Sequence, residues 1–218
     1  MRIVEHPALV HLSAADPVLG RLIASMDDAA LAVVVDPARG GRYPPVPPYA
    51  ALTRIIIGQQ VSVAAARSMT ARLTERFGGA LPAPAQVLAD DLDELRTSCG
   101  LSRGKARFLA GLAEEVAAGR LDLDGLGALD DATVMSALVA VTGIGPWTAQ
   151  VFLMGQLERP DVLAPGDVGI RRAAGIAYGL PVPPTAAELV AMAEPWRPHR
   201  STACRLLWKS LDVSPLPA

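Results

Sequence analysis

The sequence predicts an all-α protein with two helical lobes. Strand signals are scarce: "LAVVV", residues 31–35, is the single β-branched run of note, and Asp36 and Pro37 stop it. Elsewhere apolar residues recur every three or four positions, and glycine or proline stands at the ends of these periodic stretches. A hydrophobic content of 51% in 218 residues is enough to bury the core of one large domain or of two lobes.

Prolines mark the first boundary along the chain. "RYPPVPP", residues 42–48, contains four prolines, which prevent regular structure and favour a stiff connector to a helix that starts near Tyr49. We therefore divide the chain into an N-terminal segment (1–48), a helical lobe (49–163) and a C-terminal helical lobe (164–218). The N-terminal segment is expected to pack with the C-terminal lobe.

Two amphipathic helices follow the connector. The first runs from Val63 to Phe77, where apolar or small residues share one face, and Gly78 ends it. Ser102 can cap the second, which continues to about Ala118. Its first turns carry three basic residues, Arg103, Lys105 and Arg107, where the helix dipole disfavours cations. Either an outside anion or plain solvation of these side chains would compensate.

Charge and cysteine content narrow the function classes. The formal net charge is −2, so binding to nucleic acid would depend on a local basic patch. Cys99 and Cys204 are too few for a disulfide framework, a four-cysteine zinc site or a four-cysteine iron–sulfur cluster, and we expect buried, reduced thiols. The first residues show no apolar segment followed by a small-residue cleavage site, which predicts a cytoplasmic protein.

An uncharged run from Ala132 to Leu157 holds "TGIGPWTAQ", residues 142–150. The run exceeds the length of about 20 residues that crosses a bilayer. Gly143, Gly145 and the proline after them interrupt it, and its threonines and glutamines would lack partners in lipid. Two buried helices joined by a tight turn fit this pattern better, so no membrane contact is predicted.

The turn between these helices, Thr142, Gly143, Ile144 and Gly145, has the composition of an anion site. Glycine adopts backbone angles closed to other residues and has no Cβ, so N–H groups of the turn can approach a DNA phosphate closely. The following helix adds its positive end, and Ile144 can anchor the loop to the core. An ordinary helical hairpin with glycines for tightness is the alternative.

Three segments, in order along the chain, resemble the helix-hairpin-helix-GPD superfamily of DNA base-excision glycosylases. The signature is "LVAVTGIGPWTAQVFLMGQLERPDVLAPGDVGIRRA", residues 138–173. "IIIGQQVSVAAA" at 55–66 and "WRPHRSTACRLLW" at 196–208 resemble segments of the 3-methyladenine DNA glycosylase II branch. The resemblance covers residues 49–211 and implies a two-lobed helical fold with the DNA cleft between the lobes. It also implies removal of flipped, damaged bases from double-stranded DNA.

By this resemblance Asp167 is the catalytic aspartate. It follows proline and glycine and begins a helix, where the dipole and backbone donors favour a carboxylate. Such a carboxylate can stabilise the positive charge on a deoxyribose whose N-glycosylic bond is breaking, or orient the attacking water. A plain helix N-cap is the other role of Asp167, and the two roles are compatible. Family members that also cleave the backbone carry a lysine where this chain has Trp147, which predicts a monofunctional enzyme.

The resemblance also places a base pocket and a wedge. Trp147 and Trp208 match positions near the pocket, where electron-rich rings suit a cationic alkylated purine; two core tryptophans are the alternative. The family often has an aromatic residue near position 151, and Val151 leaves the preferred base open. Gln60, at the expected start of a helix, matches the DNA wedge; the alternative is that both glutamines of "GQQ" satisfy buried backbone groups.

Family hairpins often hold a monovalent cation, Na⁺ or K⁺, through backbone carbonyls, which here belong to Val139, Val141 and Gly143. No side-chain metal site is implied, and the three histidines are scattered along the chain. Five arginines are candidate phosphate contacts: Arg171, Arg172, Arg197, Arg200 and Arg205.

These observations favour one function. We expect a monomeric enzyme of the bacterial cytosol, associated with the nucleoid through DNA, that hydrolytically removes alkylated purines such as 3-methyladenine from duplex DNA without a required cofactor. Two alternatives stay open: the same fold acting on deaminated or oxidised bases, and a noncatalytic helix-hairpin-helix DNA-binding protein.

Overall fold

The computed structural model describes residues 3–39 and 46–212, and within these ranges it contains thirteen α-helices and no β-strand. The helices are α1 (Pro7–Ala15), α2 (Pro17–Ser25), α3 (Asp28–Val35), α4 (Pro48–Gly58), α5 (Val63–Arg76), α6 (Pro84–Ala89), α7 (Leu92–Cys99), α8 (Arg103–Ala117), α9 (Asp131–Val139), α10 (Pro146–Gly155), α11 (Val168–Ala177), α12 (Ala186–Met192) and α13 (Arg200–Ser210). The all-α prediction is therefore confirmed for the described residues.

The only strand-like run in the sequence is helical. "LAVVV" forms most of α3, whose first turn is capped by Asp27: the carboxylate accepts the N–H of Ala30 at 2.7 Å. Ala30, Leu31 and Val34 are buried at helical spacing. Packing of this face outweighs the modest β preference of the valines.

The chain divides into two units. The continuous unit is Pro45–Leu157, and the discontinuous unit combines Met1–Pro44 with Glu158–Ala218. The proline-rich connector predicted at 42–48 lies outside the described residues as far as residue 45, and α4 begins at Pro48. The second boundary falls after Leu157, six residues before the predicted one after residue 163.

Hydrogen bonds to α13 explain this earlier boundary. The hydroxyl of Ser201 donates to the carbonyl of Arg159 at 2.6 Å and accepts the N–H of Val162 at 2.9 Å. Arg200 donates to Asp161 at 2.7 Å. These bonds attach residues 159–162 to α13 and so to the discontinuous unit.

In the continuous unit, α4 is the central helix. Leu52, Ile56 and Ile57 are fully buried, and α4 contacts α5, α8 and α10. Helices α9 and α10 pack against each other as the helix pair predicted from the uncharged run. Within the described residues, no helix is both long and apolar enough to cross a membrane.

In the discontinuous unit, Asp16 joins three segments. Its carboxylate caps α2 by accepting the N–H groups of Val18 and Leu19, and its second oxygen accepts the Tyr178 hydroxyl and the Trp196 indole N–H. Burial alone would raise the pKa of Asp16, but these donors together lower it below its ordinary value.

Asp16→Asn is expected to lower the free energy of unfolding by about 2 kcal/mol at pH 7, since an amide nitrogen cannot accept from both Tyr178 and Trp196. Because the folded pKa is depressed, the carboxylate's contribution is present above about pH 4 and is lost as the pH falls through the folded pKa. Urea unfolding at pH 7 and pH 3 measures both effects: the gap between wild type and variant should narrow in acid.

Asp27→Asn is the matched control, because Asp27 is an exposed N-cap and asparagine caps as well as aspartate. If Asp16→Asn and Asp27→Asn lowered the free energy of unfolding equally, the bonds from Tyr178 and Trp196 to Asp16 would add no stability beyond that of an ordinary N-cap.

Candidate functional site

The predicted turn connects α9 to α10. Ile144 is 3% exposed and its N–H donates to the carbonyl of Val141 at 3.0 Å, which confirms it as the anchor of the loop. Gly145 is the N-cap of α10, and Pro146 occupies the first helical position, where its missing N–H costs nothing.

The two glycines of the turn are needed for different reasons. Gly143 has φ +92°, and a Cβ there would lie 2.2 Å from Cγ of Phe108. The ring of Phe108 thus packs directly against the turn, and only glycine fits. Gly145 has φ −93°, and a Cβ there would meet no other heavy atom within 4 Å. Its lack of a side chain leaves open space outside the turn.

The backbone N–H groups of this turn are candidate donors to an anion. Within residues 3–39 and 46–212, the N–H groups of Thr142, Gly143 and Gly145 donate to no other protein group. They precede the positive end of α10, so the turn can bind an outside anion.

Gln59, which sequence analysis did not single out by itself, holds the turn from behind. It is the C-cap of α4, and its Nε2 donates to the carbonyl of Gly143 and to the hydroxyl of Thr148, both at 2.9 Å. For Gln59 the alternative interpretation of "GQQ", a glutamine that satisfies backbone groups, is therefore correct.

Gln60 differs from its neighbour and from the prediction. No helix begins there: α4 ends at Gly58, and α5 begins at Val63 because Ser62 is a better cap, accepting the N–H of Ala65 at 3.2 Å. Gln60 is exposed with φ +54°, a left-handed conformation that is uncommon for a residue other than glycine. The exposed side chain of Gln60 therefore projects from the turn after α4 and not from the first residue of a helix.

Lys105 is also not the solvated cation that its place in α8 suggested. It is 8% exposed, and Nζ donates to the carbonyl of Ile57, in the last turn of α4, at 2.7 Å. Burial lowers the pKa of its ammonium group. Lys105 therefore stabilises the negative end of α4.

Asp167 and Trp208 come together in the discontinuous unit. Asp167 is 6% exposed and caps α11; its Oδ1 accepts the N–H of Ile170 at 2.7 Å and the indole N–H of Trp208 at 3.0 Å. A Cβ on Gly169 would lie 3.0 Å from that oxygen and 3.5 Å from the indole. Gly169, which sequence analysis missed, leaves the space in which the carboxylate and the ring meet.

The remaining predicted pocket residues lie in the continuous unit. Trp147 is half-buried near the start of α10. Val151 is 1% exposed, and its neighbour Phe152, which was not predicted to line the pocket, is fully buried. Helix α10, which carries both residues, packs against α4.

Two of the three carbonyls predicted to hold a cation already accept a hydrogen bond. The Val141 oxygen accepts from Ile144, and the Gly143 oxygen accepts from Gln59; Val139 is the last residue of α9. Each carbonyl has a second lone pair, so a monovalent cation remains chemically compatible. Among the described residues, no group of histidine, cysteine, aspartate or glutamate side chains could hold a metal ion.

Four of the five arginines predicted to contact phosphates instead bond to carboxylate or carbonyl oxygens of the discontinuous unit. Arg197 and Arg200 pair with Asp161 at 2.8 and 2.7 Å. Arg171 donates to the carbonyl of Pro184 at 2.6 Å, and Arg205 to that of Val34 at 2.7 Å. The fifth, Arg172, is exposed.

The sequence matches a family of DNA repair proteins and a curated relative. Residues 53–198 match a family model described as the HhH-GPD superfamily of base excision DNA repair proteins. A putative DNA-3-methyladenine glycosylase of Bacillus subtilis is 31% identical over 170 residues, which are 75% of this chain and 59% of that protein. The chain thus spans about three fifths of the length of this curated relative.

Two solved structures share the fold over nearly the whole chain. The 3-methyladenine DNA glycosylase of Schizosaccharomyces pombe, in complex with abasic DNA, has a TM-score of 0.80 at 27% identity, covering 95% of this chain and 97% of that one. The DNA-3-methyladenine glycosidase of Bacillus halodurans has a TM-score of 0.74 at 31% identity, covering 96% and 91%.

Gly143→Ala is expected to lower the free energy of unfolding by at least about 2 kcal/mol, because it strains a left-handed residue and forces Phe108 away. Gly145→Ala, two residues away, should cost less than about 1 kcal/mol, since alanine is only a poorer cap there. Urea and thermal unfolding measure the two changes. Similar values for both variants would contradict the packing of Phe108 against the turn.

Proposed function

This chain belongs to the HhH-GPD superfamily of base excision DNA repair proteins, and from that membership we propose that it is a DNA glycosylase acting on alkylated purines, such as 3-methyladenine, in duplex DNA. The names of the similar proteins support this substrate class. The observation that carries the proposal is the buried carboxylate of Asp167 at the start of α11, which accepts the N–H of Ile170 and the indole N–H of Trp208.

Asp167 acts at the sugar of the extruded nucleotide. As the bond between C1′ and the base nitrogen breaks, the base leaves with the bonding electrons and the deoxyribose becomes positively charged. A carboxylate held by Ile170 and Trp208 needs little reorganisation to stabilise that charge. Water then adds to C1′ and loses a proton, leaving an abasic site and a free base.

A modest catalytic device suits this substrate. A purine nucleotide methylated at ring nitrogen N3 carries positive charge on the base, so the base leaves in neutral form and needs no strong general acid. The fixed negative charge of Asp167 then supplies the main stabilisation. In this mechanism Trp208 is a positioning residue, because its indole N–H orients the Asp167 carboxylate.

The turn from Thr142 to Gly145 binds the DNA backbone. Its N–H donors and the positive end of α10 contact a phosphate without reading the sequence, as repair of scattered damage requires. The exposed Gln60 enters the duplex where the nucleotide was, and Trp147 stacks near the flipped base. A monovalent cation held by the carbonyls of Val139, Val141 and Gly143 would add positive charge close to the phosphate.

The enzyme leaves the backbone intact. A lyase reaction requires an amine that forms a Schiff base with the sugar, and the chain has only two lysines. Lys105 is buried with Nζ bonded to Ile57, and Lys209 lies 3.7 Å from the Asp212 carboxylate. The proposed reaction uses residues of one chain, so we expect a monomer. We expect the enzyme to act in the bacterial cytosol, where it is associated with the nucleoid through DNA.

Asp167→Asn tests the reaction. Asparagine keeps an oxygen for Ile170 and Trp208 but removes the charge, so release of 3-methyladenine from N-methylated duplex DNA should fall at least about a hundredfold while duplex binding persists. Chromatography of released bases and fluorescence anisotropy measure the two quantities. Asp130→Asn, at the exposed N-cap of α9, is the matched control and should keep full activity.

Loss of release in Asp167→Asn but not in Asp130→Asn is the expected result. Equal activity of both variants would remove Asp167 from the mechanism. If the wild type bound duplex DNA but released no base, a panel of deaminated and oxidised bases would separate a different substrate from a noncatalytic DNA-binding protein.

Borohydride treatment tests the monofunctional reaction separately. The wild type, incubated with damaged duplex and sodium borohydride, should give no covalent protein–DNA adduct on a denaturing gel, because Trp147 stands where the lyases of the family carry their lysine and Lys105 is buried. A known bifunctional glycosylase serves as the positive control. A trapped adduct would show that the enzyme is a lyase.

A further inference from the structure

Gln59 links the turn that carries Gln60 to the hairpin that contains Gly143. In the proposed function the first enters the duplex and the second binds a phosphate. Its backbone begins the turn that carries Gln60, while its side chain reaches the hairpin, 84 residues further along the chain. One Nε2 group makes both bonds, to the carbonyl of Gly143 and to the hydroxyl of Thr148. Thr148 is 1% exposed, so the joint is anchored in the core of the continuous unit.

Helix α8 also contacts both the end of α4 and the hairpin. Lys105 holds the carbonyl of Ile57, two residues before Gln59, and Phe108 packs against Gly143. Residues three apart lie on the same side of a helix, so one face of α8 supports both the end of α4 and the hairpin. The turn after α4 is therefore fixed relative to the hairpin by a side chain of its own and by a neighbouring helix.

The residue held in this way is exposed and conformationally costly. Gln60 has φ +54°, and such a conformation persists only where the surroundings enforce it. The bonds of Gln59 and Lys105 lie immediately before Gln60 and supply that enforcement. They attach the backbone just before Gln60 to the hairpin and to α8.

We propose that Gln59 is a positioning residue that couples the phosphate-binding hairpin to Gln60, so that gripping the DNA backbone brings Gln60 into the duplex and promotes base extrusion. This inference rests on the proposed function. It assigns Gln59 no contact with the base or sugar, and predicts an effect on extrusion but not on bond cleavage.

The chemistry of the joint defines the useful substitution. Gln59→Met keeps the length and shape of the side chain but removes both donors. Gln59→Glu would instead place a carboxylate against the Gly143 carbonyl and near the phosphate, which would confuse coupling with repulsion. Gln86→Met is the matched control: the side-chain oxygen of Gln86 accepts a single hydrogen bond, from the N–H of Ala83, at the start of α6 and away from the hairpin in sequence.

The test compares single-turnover excision from two duplexes, one with the lesion in a normal pair and one with the lesion opposite an abasic analogue, where extrusion costs less. For Gln59→Met we expect excision from the normal pair to fall about tenfold and excision from the weakened pair to stay within about twofold of wild type. Affinity for undamaged duplex should also stay within about twofold, and Gln86→Met should match wild type on both substrates.

Equal slowing of Gln59→Met on both duplexes would overturn the coupling, and so would no slowing on either. Thr148→Val, which removes one of the two acceptors and keeps the shape, should give a smaller shift in the same direction and replaces Gln59→Met if that variant fails to fold. Fluorescence of 2-aminopurine placed beside the lesion reports extrusion without chemistry. If the wild type extrudes but releases no base, the proposed function fails and the coupling is still tested by this signal.

Discussion

The close approach of the Gly143 backbone to the ring of Phe108 is the constraint on which the continuous unit depends. It requires a glycine with a left-handed backbone at the turn, and it places the turn against α8. The Gly143 carbonyl then points to Gln59, while the N–H groups of the turn remain available to an outside acceptor. One packing contact thereby separates a side of the turn that is bonded to the protein from a side that can bind an anion.

The discontinuous unit uses one device twice, an aspartate N-cap that also accepts a tryptophan indole N–H. Asp16 receives four donors, two on each oxygen, and joins α2 to Tyr178 and Trp196. The bonds from Ile170 and Trp208 to Asp167 both end on Oδ1. In the first arrangement both oxygens of the carboxylate accept hydrogen bonds from two donors, whereas in the second a helix N–H and an indole N–H meet at one oxygen. Gly169 makes the second arrangement sterically feasible.

The arginines and Lys105 have contacts that the composition of the chain did not predict. Arginine suits phosphate, yet Arg197, Arg200, Arg171 and Arg205 are bonded to carboxylate or carbonyl oxygens of their own unit. Lys105, placed by its sequence at the positive end of a helix, is buried against the negative end of another. A long, flexible side chain can bond to a residue that is distant in sequence, so its partner cannot be predicted from the neighbouring residues.

The sequence by itself determined the helical class, the helix-hairpin-helix pair, the anchor Ile144, the cap Asp167 and the family, because local spacing, capping chemistry and contiguous motifs carry these features. Only the tertiary structure decided that "LAVVV" is helical, that Val151 is buried, that Gln60 sits on a turn and that Gln59, Lys105, Phe108 and Gly169 support the site. These depend on contacts such as Gln59 with Gly143, 84 residues apart, and no local pattern specifies a partner at that separation.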